Sequence, residues 1–313
     1  MLKKNLPLVG VIIVNWNGGE VTINCLKSLK KTSYKNYKTI LVDNGSTDDS
    51  AEQLKKINKK MDMICLDKNY GYTIATNVGW KYALEKYGAD YICAMDSDIV
   101  TIQPDWLDVQ IAEMERNPAA GISSGKLAFP DGRLQIVNEN SEKGYFEQDK
   151  GQYDYIKEIP YVRGGCIVIK KEVIDKIGYY DENFFYGPND IDYCYRAKKA
   201  GFKVLFNGFS KSIHLAGYSG LSHRKDMIFG PQLEGMLICW FRHNRLVSST
   251  KMVLRQFIRV FVTRKNPHAP MILNNLYLNM TFPKRLLSFF KAFSNALKRY
   301  RKIKQNSFIK ILK

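Results

Sequence analysis

The stretch Tyr91-Ile92-Cys93-Ala94-Met95-Asp96-Ser97-Asp98 decides how this chain is read. An apolar run of strand character passes directly into two carboxylates spaced i, i+2. In an open α/β sheet, ligands bind just beyond the carboxyl ends of the strands. Paired acidic oxygens at that place suit a hard divalent cation, and such a cation suits a diphosphate. The plain alternative is a strand closed by a solvated Asp-Ser-Asp turn.

The flanking sequence separates the two readings. Leu8 to Val14 is an apolar, β-branched run ending at Asn15-Trp16-Asn17-Gly18-Gly19, followed by a helical pattern through Cys25, Leu26 and Leu29. Thr39 to Val42 reads as a strand ending in Asp43-Asn44-Gly45-Ser46-Thr47-Asp48, which supplies turn residues and then helix caps. Ala51 to Ile57 reads as helix. Met63 to Leu66 reads as a strand ending at Asp67-Lys68-Asn69-Tyr70-Gly71, and Thr73 to Tyr87 as the next helix. Asp105 to Arg116 is a helix beyond the paired aspartates. Strands alternating with helices of this length predict an α/β fold with a parallel sheet and right-handed crossovers. Each strand ends in Asn, Asp or Gly, so one edge of the sheet becomes a polar rim. The glycine-rich loops G-x-G-x-x-G and G-x-x-x-x-G-K are both absent. A metal is therefore the expected holder of phosphates.

Further along, residues 126–159 read as loops or a hairpin, and Tyr161 to Ile169 as a strand interrupted by Arg163-Gly164-Gly165. Paired glycines inside a strand mark close approach of a ligand or another backbone, or a bulge. Phe184 to Asp192 opens a helix reaching about Ala200, Lys203 to Phe206 is a short strand, and His214 follows in a loop.

These segments together resemble the inverting family 2 glycosyltransferases, which have the GT-A fold, and most of all the branch containing bacterial rhamnosyltransferases. The carriers are Val-Asn-Trp-Asn-Gly (14–18), Val-Asp-Asn-Gly-Ser-Thr-Asp (42–48), Asn-Tyr-Gly (69–71) with Asn77-Val78-Gly79, Asp-Ser-Asp (96–98), Arg-Gly-Gly (163–165) and Asn-Asp-Ile-Asp-Tyr-Cys-Tyr-Arg (189–196). The resemblance spans about Leu8 to Ser222. It implies a mostly parallel central sheet flanked by helices, in a catalytic domain over residues 1–232. The nucleotide-binding half would cover about 1–125 and the acceptor-binding half about 126–232, followed by a basic helical region over 233–313.

Carried over by position, Asn15 and Asp43 bind the nucleoside, and Asn69 and Gly71 lie along the nucleotide. Asp96 is the ribose- and phosphate-side acid and a metal neighbour, and Asp98 is the direct ligand of Mn²⁺ or Mg²⁺. His214 matches a histidine that approaches the metal or diphosphate in some members, with a structural role as the alternative. Gly164 and Gly165 let backbone approach the donor or acceptor. Inverting transfer needs a base for the acceptor hydroxyl. Asp190 is the first candidate and Asp192 the second, because Asp192 and Arg196 stand at i, i+4 salt-bridge spacing. Where the family usually carries an acid, this chain has Asn189. The implied substrates are a dTDP- or UDP-sugar and a glycan or lipid-linked acceptor of the cell envelope.

Composition sets the outer limits. The 313 residues, 45% apolar and 25% charged, are those of a globular protein with one large domain or a domain plus an appendage. The start, Met1-Leu2-Lys3-Lys4-Asn5, leads straight toward a strand, so no signal peptide is expected. Six cysteines lack any C-x-x-C pair, which predicts buried free thiols, a reducing cytoplasmic setting and no zinc site. The net charge is +18, yet residues 235–313 hold 17 Lys or Arg and no acid, so the remainder is close to neutral.

That tail is amphipathic. Lys251, Arg255 and Arg259 alternate with apolar residues. From Pro283 onward, Leu286, Phe289, Phe290, Phe293, Leu297 and Tyr300 line one face. Lys284, Lys291 and Lys298 repeat on another. Such a segment reads as an interfacial helix on an anionic membrane, or else as a cap packed on the catalytic domain. The first reading places the protein peripherally on the inner face of the cell membrane. Two rivals remain. A sugar-nucleotide pyrophosphorylase would need a Gly-rich, basic loop after the first strand, where Asn15-Trp16-Asn17-Gly18-Gly19-Glu20 stands instead. A nucleic-acid binder would need a tail less apolar on its second face.

Overall fold

The computed structural model describes residues 6–57, 61–136, 147–162, 164–215, 225–243 and 282–311. The chain divides into two compact units: Met1–Tyr180 with Tyr193–Ser222, and Asp181–Asp192 with His223–Lys313. The sequence had placed the boundary after residue 232; here the short segment Asp181–Asp192 groups with the C-terminal helices.

The elements of the first unit are β1 (Val9–Asn15), α1 (Gly19–Leu29), β2 (Tyr37–Asp43), α2 (Ser50–Ile57), β3 (Asp62–Cys65), α3 (Tyr72–Tyr87), β4 (Tyr91–Asp96), β5 (Ile99–Thr101), α4 (Trp106–Arg116), β6 (Ala120–Ala128), β7 (Leu134–Ile136), β8 (Ile156–Glu158), β9 (Cys166–Lys170), α5 (Lys171–Ile177) and β10 (Lys203–His214). Helix α6 (Asn189–Lys199) bridges the division. The sheet runs β3-β2-β1-β4-β9-β6-β10-β5, with β7 on β6 and β8 on β10. β1 pairs in parallel with β2 and β4, β2 with β3, and β6 with β10, whereas β9 is antiparallel to both β4 and β6.

Strand β1 explains the apolar runs. Ile12 packs on one face of the sheet with Ile40, Val42 and Trp80, while Val11 and Ile13 pack on the other with Leu26, Leu41 and Cys93. A strand covered by helices on both faces must be apolar at every position. Gly79 lets α3 lie close on β1, since a Cβ there would come within 2.3 Å of Ile12 Cγ2. Asn77, in the same motif, donates to the Tyr180 carbonyl at 3.0 Å and accepts from the Tyr180 amide at 3.1 Å. The motif residues around 77–79 are thus accounted for by packing and loop anchoring.

The structure corrects the sequence reading at several elements. Residues 126–159, read as loops or a hairpin, hold the end of β6 and the short strands β7 and β8. Most of β6, Gly121-Ile122-Ser123-Ser124-Gly125, has weak strand character and takes no element from the sequence reading, yet it is strung between β9 and β10. The expected strand over 161–169 begins only at Cys166. The expected strand over 203–206 continues to His214, because a register shift between Asn207 and Lys211 absorbs Gly208. Five cysteines are buried free thiols as expected, but Cys65 is exposed.

The second unit contains α7 (Lys225–His243) and α8 (Phe282–Ile311). Its core joins Phe184 to Leu233, Leu237, Ile238 and Cys239 of α7 and Phe289, Ala292 and Ala296 of α8. Phe290, which the sequence places on the same apolar face as Phe289, is 52% exposed beside Leu287 at 71%. The small Ala292 and Ala296 take the packed positions instead. The basic pattern over 251–261 lies outside the described residues. Among the described residues no helix is long and apolar enough to cross a membrane.

Candidate functional site

Parallel register gathers the first group of predicted residues. Asn15 stands opposite Asp43 in the β1–β2 ladder, and Val14 stands opposite Asp96 in the β1–β4 ladder. Asn15 is fully buried and its side chain is spoken for. It donates to Asp43 Oδ1 at 2.7 Å and to Ser46 Oγ at 3.1 Å, and its carbonyl accepts from Thr22 of α1 at 2.8 Å. Asp43 also accepts from the Ser46 hydroxyl at 2.6 Å and the Ser46 amide at 3.1 Å. The loop after β1 is tied to the loop after β2 by Asn17, whose amide donates to Ser46 Oγ at 2.9 Å. Asn17 itself sits at φ 51. Asn15 is therefore the bracket that orients Asp43.

Asn69 and Gly71 form the next wall of the same rim. Asn44 donates to Asn69 Oδ1 at 3.0 Å and to the Gly71 carbonyl at 3.2 Å, and accepts from the Tyr70 amide at 3.0 Å. Gly71 has φ 90 at the start of α3, a conformation that favours glycine. Gly45, at φ 68, has no room for a side chain because a Cβ would lie 2.3 Å from the Lys68 carbonyl carbon. Asn44 was not singled out from sequence; its place next to Asp43 hid a role that only the crossing of two loops creates.

The acidic pair lies at the end of β4. Asp98 is 5% exposed. β5 turns back and pairs with the end of β10, setting Ile99 opposite His214. The Leu215 amide then donates to the Asp98 carbonyl at 2.9 Å. This pairing brings His214 Nε2 to 3.1 Å from Asp98 Oδ1. One ligand atom from each of Asp96, Asp98 and His214 falls within 4.8 Å of the others. His214 thus ends a strand inside the cluster, where the sequence had placed it in a loop.

The electrostatics follow from this crowding. Burial and the charge of Asp98 push the Asp96 carboxyl above its ordinary value, while His214 and a hydrogen bond from Tyr72 oppose the rise. Burial disfavours a charged His214, but Asp98 and Asp96 outweigh it and raise the imidazole above its ordinary value. Gln135 of β7 accepts from His214 Nδ1 at 2.8 Å. With Gln135 accepting from Nδ1, the ring presents Nε2 to the carboxylates, where it carries a proton when paired with Asp98 and would offer its lone pair to a cation once that proton is released. Two carboxylates and one oriented imidazole fit a first-row divalent cation such as Mn²⁺. Gln135 was missed from sequence, because β7 reaches the site only by pairing with β6.

The glycine pair has a local explanation at Gly165. Its φ is 104, and a Cβ would meet Leu127 Cδ1 at 2.7 Å. Its carbonyl accepts from the Asp96 amide at 2.8 Å. The close approach foreseen from sequence is therefore, at Gly165, an approach of protein to protein that fixes the end of β4. Gly164 is described beside it, and Arg163 lies outside the described residues.

Asp190 and Asp192 lie in the first turn of α6, within the second unit. Asp190 is half-buried. Asp192 is fully buried, and its Oδ1 accepts from Arg242 Nη1 and His243 Nε2, each at 2.7 Å. Arg196, expected to face Asp192, places its terminal nitrogens on the carbonyls of Ile177 and Tyr179 at 2.9 and 2.8 Å. The tools of a second metal cluster, Asp192, Cys239 and His243, also converge within 4.8 Å. There the Arg242 guanidinium already sits on the carboxylate oxygen a cation would use.

Comparisons with known proteins bear on the family and the fold. The chain is 22% identical to the O-antigen biosynthesis protein RfbC of Myxococcus xanthus over 72% of its length, and 26% identical to the dTDP-rhamnosyl transferase RfbF of Shigella flexneri over 66% of this chain and 68% of that one. The chain spans a quarter or less of two curated relatives it matches, 24% of a Sinorhizobium fredii protein and 18% of RfbC. In structure it resembles GalNAc-T7, solved with UDP, GalNAc and Mn²⁺, with a TM-score of 0.54 at 17% identity over 68% of this chain and 44% of that one. The sequence model of Glycosyl transferase family 2 matches residues 10–178, more than half of the molecule, and the chain belongs to that family of glycosyltransferases.

Proposed function

We propose that the protein moves a rhamnosyl or hexosyl group from a dTDP- or UDP-sugar to a hydroxyl of a glycan or lipid-linked acceptor in cell-envelope polysaccharide synthesis, with inversion in a single displacement. The observation that carries the metal-dependent reading is the convergence of Asp96, Asp98 and Gln135-oriented His214 within 4.8 Å at the end of β4. A divalent cation held there, Mn²⁺ or Mg²⁺, would offset the negative charge that gathers on the departing diphosphate. Asp43, held by Asn15 and Ser46, keeps acceptor capacity for an N–H of the base, since a carboxylate offers about four lone-pair sites. Asn69, Gly71 and the Asn44 bracket line the nucleotide's path. Asp190 accepts the proton of the acceptor hydroxyl, an assignment favoured because Asp192 is fully buried and held by Arg242 and His243.

The basic C-terminal helices hold the protein at an anionic membrane surface on the cytoplasmic side. The exposed Leu287 and Phe290 beside Lys291 support this reading, as side chains suited to an interface. Anionic vesicles and duplex DNA are the two probes; binding to DNA with steep salt dependence, and none to vesicles, overturns it.

The test of the enzyme is a panel of dTDP-, UDP- and GDP-sugars with Mn²⁺ or Mg²⁺, following nucleotide release and thermal stability. One donor giving metal-dependent stabilisation or slow hydrolysis, lost in Asp98→Ala, supports the proposal. Silence across the panel, with Asp98→Ala behaving as the parent, overturns the metal site.

A further inference from the structure

The second unit contains a charged assembly that the site described above does not use. Arg242, near the C-terminal end of α7, bridges the two ends of the segment Asp181–Asp192. One terminal nitrogen lies 2.7 Å from Asp192 Oδ1, and the other bonds Asp181 Oδ2. Its guanidinium also lies 5.9 Å from the centre of the Phe184 ring, in the middle of the same segment. Asp181 in turn closes the turn that follows, accepting from the Asn183 amide at 2.9 Å, and its carbonyl accepts from the Phe184 amide at 3.1 Å.

Other contacts hold the middle. Arg299 of α8 donates to the Asn183 carbonyl and pairs with Glu234 of α7 at 2.8 Å. Phe184 is 1% exposed against Leu233, Leu237 and Phe289. Gly235 of α7 lies under the segment, where a Cβ would come within 3.2 Å of Phe184 and Pro188. Asp190 rides on this segment between Pro188, whose carbonyl accepts from the Asp192 amide at 2.9 Å, and the anchored Asp192.

From this we infer that Arg242 is a positioning residue for transfer: it clamps Asp181 and Asp192 together and thereby sets the backbone that carries Asp190. The inference rests on Asp190 as the base. It gives the C-terminal helices a part in the reaction that membrane attachment alone does not. A guanidinium is suited to the task because its planar fork reaches two carboxylates at once, which an ammonium does as a single point charge.

The experiment uses the full chain with Arg242→Met, Arg242→Lys and the paired Arg242→Met/Asp192→Asn, the last removing the stranded charge together with the cation. Hydrogen exchange of amides 181–192 is expected to quicken by about 10-fold in Arg242→Met and less in Arg242→Lys. Binding of UDP or dTDP with Mn²⁺ is expected to stay within about twofold in all three, showing that the first unit is intact. With the donor found active, kcat is expected to fall about 100-fold at nearly unchanged donor KM, with partial rescue in Arg242→Lys. Adding Asp190→Asn to Arg242→Met is expected to cost nothing further. Unchanged exchange over 181–192 overturns the clamp, and a multiplied loss with Asp190→Asn overturns its action through Asp190. Failure of the parent to bind UDP or dTDP with Mn²⁺ sinks the proposed function instead, and leaves the exchange result to decide the clamp.

Discussion

The two units each contain a close Asp–His pair, and the pairs are built for opposite ends. In the first unit Asp98 and His214 stand 3.1 Å apart beside a second carboxylate, Asp96. Two carboxylates face one imidazole there, the setting in which a cation is proposed to bind. In the second unit Asp192 and His243 stand 2.7 Å apart beside a cation, Arg242. There the protein supplies its own cation, because the Arg242 guanidinium bridges Asp192 and Asp181. An Asp–His contact is thus no signature of a site by itself; the third partner decides whether it holds a ligand or holds the fold.

The largest test of this contrast is functional. Asp98→Ala is expected to cut metal-dependent turnover about 1000-fold while changing the metal-free thermal midpoint little, since the lost pairing with His214 offsets the relieved crowding with Asp96. Near-normal turnover would mean the paired carboxylates serve another purpose. The mirror experiment is Asp192→Ala, which removes the fully buried carboxylate that Arg242 and His243 share. It is expected to cost about 3–5 kcal/mol in denaturant unfolding, with Mn²⁺ and nucleotide binding retained in whatever remains folded. A cost under about 1 kcal/mol would show that the second pair is not structural.

A third, Gly165→Ala, probes the backbone under the first pair. With φ at 104 and Leu127 2.7 Å from the new Cβ, it is expected to lose about 1–3 kcal/mol. Equal stability to the parent would remove Gly165 from the support of Asp96.

Titration sharpens the comparison further. His214 has a raised value, so without metal its pairing with Asp98 contributes stability below the ordinary histidine value of about 6.5. That contribution is lost as pH rises through the raised value. A bound metal reverses the sign, because the proton on Nε2 competes with the cation and binding must release it. Thermal midpoints in chelator are expected to fall with rising pH across this window, and the added stabilisation by Mn²⁺ to grow. Parallel curves with and without Mn²⁺ would exclude His214 as a ligand. The smallest effect is expected from Leu287→Ser with Phe290→Ser, both exposed, which should change folding stability by under about 0.5 kcal/mol yet weaken vesicle binding. Unaltered vesicle binding would move the membrane contact elsewhere.

Much of the stretch from β1 to β4 was legible because its information is local. Strands β1 to β4 are short apolar runs ending in Asn or Asp, and parallel register alone brings Asn15, Asp43 and Asp96 to one edge. The region after α4 was less legible. β6 is poor in strand formers and becomes a strand by being paired on both sides. The basic periodicity of α8 was visible, but which of Phe289 and Phe290 faces inward was not, since they adjoin in sequence and only packing against α7 separates them.

The sequence by itself determined the family, the α/β sheet and the Asp96–Ser97–Asp98 turn, because these depend on residue order and strand-end chemistry. Tertiary structure alone decided that β5 folds back on β10 to deliver His214, that Gln135 sets its tautomer, and that Asp192 belongs to Arg242 and His243. Those contacts join distant residues, from Asp192–Arg242 at 50 positions and His214–Gln135 at 79 to the still longer span between β5 and β10. No local pattern encodes such pairings; they exist only once the sheet and the helices have closed the distance.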